Sequence, residues 1–254
     1  MAGVPDVARS TSRGVSRTLV ITPTYDEREN LPVLAERLLQ AVPGVDLLVV
    51  DDASPDGTGA IADALHERHG DRVRVVHRDH KRGLGSAYVE GFRRALAGGY
   101  DVVVQMDADL SHDPAAVPAL LRAIEEGADL VVGSRWVPGG GIEGWGLARL
   151  VLSRGGSLYS RTILGAPLRD LTSGFKALRR TVIESIDPAT IRSEGYSFQI
   201  EVTFRALQAG ARVVEVPIVF VDRRAGRSKL SRAIFVEAIG MPWRLRLEAL
   251  RRRR

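Results

Sequence analysis

Between residues 18 and 134, short runs of β-branched and other apolar residues alternate with segments of helical periodicity. The predicted strands cover residues 19–22, 46–50, 72–77, 102–106 and 130–133. The predicted helices between them cover residues 31–42, 58–68, 86–97 and 114–125. Because strands that alternate with helices are joined by right-handed crossovers, the pattern predicts an α/β fold, with a mostly parallel central sheet and helices on both faces.

Acidic residues and glycines follow the predicted strands, at the point where each strand ends. The segments are residues 23–27, 51–57, 78–85, 107–109 and 134–135. Ligands of open α/β sheets bind beyond the carboxyl ends of the strands. We therefore expect this edge of the sheet to bind a polar ligand.

Asp107 and Asp109 come directly after an apolar run of strand character. Two hard oxygen ligands at a strand end suit a divalent cation that holds a diphosphate. Paired acids at such a place also solvate a loop or cap the next helix, which is predicted to begin near Pro114. Taken alone, the Asp-x-Asp pattern leaves both interpretations open.

Two further acids, Asp51 and Asp52, end the second predicted strand before a Ser-Pro-Asp-Gly turn. Their carboxylates could accept hydrogen bonds from ribose hydroxyls or from a base, although turn residues of this kind usually just cap a helix. No Gly-x-Gly-x-x-Gly follows the first strand, and the sequence has no Gly-Lys-Ser/Thr loop. These absences disfavour dinucleotide-dependent redox chemistry and P-loop hydrolysis.

The net charge of +5 is concentrated at the C-terminus. Residues 223–254 carry eleven Lys or Arg against two Glu, which gives +9 there and −4 for the rest of the chain. This distribution disfavours nucleic acid as a partner, because a nucleic-acid-binding domain usually displays a basic face of its own. An anionic membrane surface is the better candidate. The chain has no cysteine and therefore no disulfide or thiolate zinc site.

The two ends of the chain are expected to differ. Residues 1–17 mix Gly, Ser, Arg and Pro and are predicted to be a disordered leader. Residues 231–254 form an amphipathic basic tail that contains Trp243 and ends in four arginines, and Pro242 is expected to break it into two helical pieces. Such a tail either lies at a membrane interface or packs on the domain, and the sequence leaves both open. No run of about 18 apolar residues occurs that could span a bilayer.

Several motifs resemble inverting GT-A glycosyltransferases: residues 20–32, 49–58, 83–88 and 105–114. Others resemble, within that group, the polyprenol (dolichol) phosphate mannose synthases: residues 133–141, 170–176, 195–201, 220–223 and 228–230. The match runs from about residue 18 to residue 231. It implies a GT-A nucleotide-sugar-binding domain over residues 18–230, between the leader and the tail.

The resemblance implies that mannose passes from GDP-mannose to a polyprenyl phosphate, giving polyprenyl phosphomannose and GDP. It also implies a requirement for Mg²⁺ or Mn²⁺ and a peripheral location on the cytoplasmic face of the membrane. Whether a membrane-embedded partner protein is needed stays open. A related synthase that uses another sugar nucleotide, such as UDP-glucose, is the nearest alternative.

Residue roles follow from matching these motifs. The resemblance assigns metal binding to Asp107, Asp109 and Ser111, although relatives often carry Gln where this chain has Ser111. It assigns the acceptor phosphate to Arg135, Arg149 and Ser153, and these three with Asp107 and Asp109 form the implied catalytic set. The nucleotide-sugar site would comprise Pro23, Tyr25, Glu27, Val50, Asp52, Asp107, Ala108, Asp109, Arg135, Arg223 and Lys229.

Two hypotheses of other classes compete with this one. Residues 107–111 imitate the Asp-x-Asp-x-Thr/Ser signature of haloacid-dehalogenase-like phosphatases, but there the first Asp follows an early strand, whereas Asp107 follows the fourth. The second competing hypothesis is a non-catalytic subunit that binds a nucleotide sugar or recruits a partner. The acids and arginines are intact at every motif, which favours an active enzyme.

Overall fold

The computed structural model describes residues 16–222 and 232–252, and in the second range it describes the side chains of residues 239–251. Seven of the described strands form one sheet in the order β3-β2-β1-β4-β7-β5-β8. They are β1 (Thr18–Thr24), β2 (Val45–Asp51), β3 (Val73–His77), β4 (Val102–Gln105), β5 (Leu130–Ser134), β7 (Lys176–Arg179) and β8 (Val213–Pro217). Every neighbouring pair is parallel except those made by β7, which runs antiparallel to β4 and β5.

Helices cover both faces of this sheet, as the sequence predicts. One face packs against α1 (Leu31–Ala41), α2 (Thr58–His69) and α4 (Val117–Glu125). The other packs against α3 (Leu84–Ala97), α6 (Arg180–Ile186) and α7 (Gly195–Gln208). Strands β1, β2 and β4 are buried on both sides, which explains their nearly continuous apolar sequences.

The second half of the chain contains elements that the apolar pattern does not predict. Strand β7 is four residues long and begins with Lys176, so it lacks the apolar run of its neighbours. It forms because β4 and β5 leave a gap between them that its backbone fills by hydrogen bonding to both. The glycine-rich segment 139–146 contains β6 (Gly141–Glu143), which pairs in parallel with β9 (Val219–Val221).

The helices α5 (Leu147–Leu164) and α8 (Arg232–Arg252) lie against each other at one side of the domain. Met241 and Leu245 of α8 are buried in a small apolar cluster with Leu164 and Phe204. The prediction that Pro242 breaks the tail is wrong, because α8 continues through it. A proline removes one backbone donor, and the packing of Met241 and Leu245 on either side holds the helix together.

Among the described helices, none combines the length and the apolar composition that crossing a bilayer requires.

Candidate active site

A cavity of about 410 Å³ opens at the carboxyl ends of β1, β2 and β4. Its volume suits a nucleotide-sized ligand. The lining residues that the sequence analysis predicted are Pro23, Tyr25, Glu27, Asp52, Asp107, Ala108 and Asp109. Residues that it did not single out include Lys81, Thr172, Gly174, Glu194, Tyr196 and Gln199. The crossover topology therefore brings segments far apart in the chain to one edge of the sheet, as expected.

The remaining predicted donor-site residues lie elsewhere. Val50 is fully buried in the apolar core beneath α3, so its side chain does not line the cavity. The reason is the alternation of side chains along β2, which directs the side chain of Val50 to the face that α3 covers. Arg135 lies behind the cavity wall and contacts Thr172. Arg223 and Lys229 fall outside the described residues.

The Asp52 carboxylate is part of the cavity wall and is already hydrogen-bonded. It forms a 2.8 Å ion pair with Arg78 and accepts hydrogen bonds from the backbone N–H groups of Arg82 and Gly83. Asp52 therefore fixes the loop 78–83, which presents Lys81 to the cavity. The Lys81 ammonium lies 3.4 Å from the centre of the Tyr25 ring, so the two residues form a cation–π pair at the rim.

Asp107 is oriented by a buried tyrosine. The Tyr88 hydroxyl donates a 3.0 Å hydrogen bond to Oδ1 of Asp107, and the Tyr88 ring stacks on Phe198 of α7. Burial raises the pKa of Tyr88 well above its usual value, and the negative charge of Asp107 raises that pKa further. The phenol therefore stays protonated and remains a donor to Asp107. Tyr88 lies in the motif at residues 83–88, but nothing in the sequence indicated its contact with Asp107.

Asp109 lies at the floor of the cavity, 5% exposed. Its Oδ1 accepts a hydrogen bond from the backbone N–H of Ser111, and the intervening Leu110 has a left-handed backbone conformation (φ 60°). This turn places Ser111 directly beside Asp109. The Ser111 hydroxyl is buried and has no hydrogen-bond partner among the described residues.

Two carboxylates and an unsatisfied hydroxyl are the kind of oxygen ligands that Mg²⁺ and Mn²⁺ prefer, so Asp107, Asp109 and Ser111 fit such an ion chemically. Within the described residues, no three His, Asp or Glu side chains are grouped closely enough to hold a metal unaided. An ion held there would need further oxygen ligands to complete its coordination. His112 stacks on Phe175 and is buried; burial lowers its pKa despite the nearby acids.

Glu194 closes the cavity on the side of α3. Its carboxylate accepts hydrogen bonds from the backbone N–H groups of Gly85 and Ser86, at the N-terminus of that helix. A Cβ on Gly83 would lie 2.6 Å from the Glu194 carboxylate, and Gly83 has a φ of +98°. Glycine is therefore required there on both steric and conformational grounds. Burial raises the pKa of Glu194, and the two N–H donors partly oppose that effect.

Arg135 forms a buried ion pair beside the cavity. Its guanidinium donates from Nε and Nη2 to the two oxygens of Asp170, both at 2.7 Å, and Nη2 also donates to Thr172. Both side chains are almost fully buried. Although burial alone would raise the pKa of Asp170, the hydrogen bonds and the positive charge of Arg135 lower it. The pair therefore stays ionised and fixes the position of the guanidinium.

Aromatic rings and a second arginine surround Arg135. The rings of Trp136, Trp145 and Phe220 each have their centres less than 6 Å from its guanidinium carbon. Arg149 of α5 lies 4.1 Å from the centre of the Trp145 ring and donates a 2.7 Å hydrogen bond to Asp222. We call Arg135 and Arg149, with these rings, the cationic cluster.

Ser153 lies one turn after Arg149 on α5, and Ser157 lies one turn further. The Ser157 hydroxyl is buried 3.2 Å from the Thr172 hydroxyl. Residues four apart share one helix face, so Arg149 and Ser153 are on the face of α5 that approaches Thr172. Thr172 also lines the cavity and accepts a hydrogen bond from Arg135. The cationic cluster and the acid-lined cavity therefore meet at Thr172.

Comparisons with known proteins match most of this chain. The sequence model of Glycosyl transferase family 2 matches residues 19–187. A polyprenol monophosphomannose synthase from Mycolicibacterium smegmatis is 52% identical over 230 residues, which are 91% of this chain and 87% of that protein. An undecaprenyl-phosphate mannosyltransferase from Micrococcus luteus is 52% identical over 223 residues, 88% of this chain and 91% of that protein.

The fold is similar to that of a solved glycosyltransferase. The structure of glucosyl-3-phosphoglycerate synthase from Mycobacterium tuberculosis with UDP superposes with a TM-score of 0.65 and 25% identity, covering 91% of this chain and 80% of that one. Another complex of that enzyme holds Mn²⁺, UDP-glucose and phosphoglyceric acid. The present chain, matched over most of its length, belongs to Glycosyl transferase family 2.

Proposed function

We propose that this protein transfers mannose from GDP-mannose to a polyprenyl phosphate, giving polyprenyl phosphomannose and GDP. The observation that carries the proposal is the meeting of an acid-lined cavity and a cationic cluster at Thr172. The names of the two relatives at 52% identity support the transfer of mannose to a polyprenyl phosphate. We assign GDP-mannose to the cavity and the phosphate of the lipid to the cationic cluster.

On the donor side, the nucleotide would lie against Pro23, Tyr25, Glu27 and the loop that Asp52 holds. The diphosphate would then reach Asp107 and Asp109 at the end of β4. A Mg²⁺ or Mn²⁺ ion held by Asp107, Asp109 and Ser111 would neutralise the charge that develops on the departing GDP. Arg223 and Lys229, outside the described residues, remain proposed contacts of the nucleotide end.

On the acceptor side, Arg135 and Arg149 provide two guanidinium groups and Ser153 a hydroxyl. Guanidinium groups bind phosphate oxygens through paired hydrogen bonds, so this set suits a phosphate monoester. Arg135 is fixed by Asp170 and would act as a rigid donor. Arg149 is paired with Asp222 at a half-exposed site, so an incoming phosphate would compete with that carboxylate for it.

The reaction requires little from an enzymatic base. A phosphate monoester is already ionised near neutral pH, so its oxygen can attack the anomeric carbon of mannose directly. The new C–O bond forms to the lipid phosphate as the bond between mannose and the GDP oxygen breaks, and attack from the opposite side inverts the anomeric carbon. The main task of the protein is to hold two anions close together and in line.

We further propose that the protein is peripheral on the cytoplasmic face of the membrane, where it meets its lipid substrate. The helices α5 and α8 together expose an apolar surface, and Tyr159 joins them by donating to the Ile239 carbonyl and accepting from Trp243 Nε1. This α5/α8 surface consists of Leu147, Val151, Leu152, Leu158, Ile239, Trp243, Leu247 and Leu250, each at least 47% exposed.

The α5/α8 surface begins beside the cationic cluster, because Leu152 lies three residues after Arg149 on α5 and residues three apart are neighbours on a helix surface. An exposed apolar surface with Trp and arginines at its border is typical of helices that lie in a membrane interface. A polyprenyl chain that leaves the bilayer there would place its phosphate within reach of Arg149. One side of α8 thus packs on the domain through Met241 and Leu245, and the other side, with Trp243 and Leu247, would contact the membrane.

The direct test is a transfer assay with the purified protein, GDP-[¹⁴C]mannose, polyprenyl phosphate in detergent and either MgCl₂ or MnCl₂. We expect label in the lipid fraction, formed in step with GDP, and none when the metal is chelated. UDP-glucose and UDP-galactose serve as rival donors, and transfer from one of them alone would replace mannose in the proposal. Binding of GDP-mannose without lipid product, when lipid and metal are both present, would support the non-catalytic hypothesis instead.

A further inference from the structure

An unsatisfied hydrogen-bond donor faces the donor cavity from α7. The Gln199 side chain lines the cavity, is 2% exposed, and its Nε2 has no hydrogen-bond partner among the described residues. A buried amide N–H without a partner costs free energy, which a ligand that accepts a hydrogen bond would recover. This side chain has no role in the reaction as described above.

Lys176 determines which end of the Gln199 amide faces the cavity. Lys176 is a fully buried residue of β7, and its side-chain nitrogen donates to the backbone carbonyl of Gln199 at 2.6 Å and to Oε1 of Gln199 at 2.9 Å. Below its pKa, the charged Lys176 side chain offers donors and no acceptor, so it selects the oxygen of the amide and turns the nitrogen away. The orientation of this amide therefore follows from its neighbour.

Gly174 keeps the space beside this nitrogen open. A Cβ on Gly174 would lie 3.3 Å from Oδ2 of Asp107 and 3.5 Å from Nε2 of Gln199. An acceptor, the carboxylate, and a donor, the amide, therefore border the same point of the cavity. A hydroxyl group satisfies both neighbours, because it donates to the carboxylate and accepts from the amide. A phosphate oxygen suits this point less well, because the carboxylate would repel it.

We propose that Gln199 recognises the sugar of the donor, donating from Nε2 to a ring hydroxyl that Asp107 also contacts, and that Lys176 is the positioning residue for this amide. The inference rests on the proposed function, since it takes the cavity to be the nucleotide-sugar site. It adds a determinant of sugar specificity contributed by α7, opposite the nucleotide-binding loops.

The test compares GDP-mannose with GDP, which lacks the sugar. In Gln199→Glu, one carboxylate oxygen can still accept from Lys176, while the donor that faces the cavity is lost. We expect the Kd for GDP-mannose to rise about tenfold, the loss of one hydrogen bond, and the Kd for GDP to stay within about twofold. Gln208→Glu, the same change at an exposed position of α7, is the matched control and should alter neither.

A set of GDP-deoxymannose analogues identifies the hydroxyl. With the unaltered protein, one analogue should bind about tenfold more weakly than GDP-mannose, and in Gln199→Glu that difference should disappear. Lys176→Met should raise the Kd for GDP-mannose a few-fold and leave the Kd for GDP unchanged. In the double variant with Gln199→Glu, it should raise the Kd for GDP-mannose little further, because both changes disrupt the same interaction. Thermal unfolding of each variant confirms that it is folded.

Two results would overturn the proposal: unchanged GDP-mannose affinity in folded Gln199→Glu, or an equal loss for GDP, which would place the contact on the diphosphate. Failure of the proposed function looks different, because the unaltered protein would then transfer no mannose from GDP-mannose, whereas the affinities compared here are measured without transfer. If it used UDP-glucose instead, the same comparison with UDP-glucose and UDP would decide the role of Gln199.

Discussion

The proposed donor side of the site, around the cavity, and the proposed acceptor side, at the cationic cluster, hold their charged groups in different ways. On the donor side, Asp52, Asp109 and Glu194 accept hydrogen bonds from backbone N–H groups of loops or of the first turn of α3, and Asp52 also pairs with Arg78. On the acceptor side, Arg135 and Arg149 are held by other side chains, Asp170 and Asp222, and by aromatic rings. Carboxylates bonded to the backbone are fixed by the fold itself. A cation held by one carboxylate can exchange that partner for a phosphate, most readily at half-exposed Arg149.

The largest expected effect is on the donor side. Asp109→Ala should lower turnover roughly 1,000-fold, because the charge that would hold the metal and the diphosphate is lost. Binding to lipid vesicles should be unchanged. Asp109→Asn keeps an oxygen to accept from Ser111 and so protects the loop, while Asp63→Ala, at an exposed position, is the control. Turnover above a tenth of the original in Asp109→Asn would rule out the metal role.

A smaller effect is expected on the α5/α8 surface. Replacing both Trp243 and Leu247 with Gln should weaken binding to anionic vesicles roughly 100-fold, because two large apolar side chains no longer enter the interface. Transfer to a short, water-soluble prenyl phosphate should persist. Val33→Gln, at an exposed position of α1, is the control. Vesicle flotation measures the binding, and unchanged flotation would show that the membrane contacts another surface.

Replacing Trp243 and Leu247 tests membrane binding more specifically than removing the tail. Met241 and Leu245 are buried against the domain, so a truncation at residue 240 would expose the cluster around Leu164 and Phe204. Loss of membrane binding in a truncated protein would therefore not separate a docking defect from partial unfolding. Trp243 and Leu247 are each 55% exposed and can be changed without opening that cluster.

A third experiment separates the two sides kinetically. Arg149→Met keeps the length of the side chain but removes one cation from the acceptor phosphate, so KM for polyprenyl phosphate should rise about tenfold. KM for GDP-mannose should change less than about twofold, because Asp107 and Asp109 are untouched. Arg161→Met on the same helix is the control. A rise in the donor KM instead would mean that Arg149 serves the nucleotide sugar.

The smallest effect concerns Lys176 of β7, the strand that lies between β4 and β5 in the sheet. Burial lowers its pKa to about 7, although the charge of Asp170 opposes that effect. Between pH 7 and the higher pKa of an unfolded lysine, the unfolded chain binds more protons, so stability rises with pH. We expect the free energy of unfolding, relative to Lys176→Met, to rise by about 1 kcal/mol per pH unit from pH 7 to 9. A flat difference would show that the ammonium is not desolvated.

The sequence predicted the first half of the chain well because each parallel strand there is an apolar run bounded by turn residues. It also predicted the acids at the strand ends that line the cavity. It did not reveal Tyr88, Glu194 and Gln199 as site residues. Their roles depend on contacts with Asp107, with the start of α3 and with Lys176, which lie between 19 and 109 residues away along the chain.

The order of apolar and polar residues determined the α/β class, the edge of the sheet at which the cavity opens and the acids that line it. This is because burial and strand periodicity act locally along the chain. Tertiary structure alone decided that β7 enters the sheet antiparallel, that α8 runs through Pro242 and that the Gln199 amide faces the donor cavity. Each of these depends on partners distant in sequence: two strands with unpaired backbone groups, an apolar cluster, and a buried ammonium.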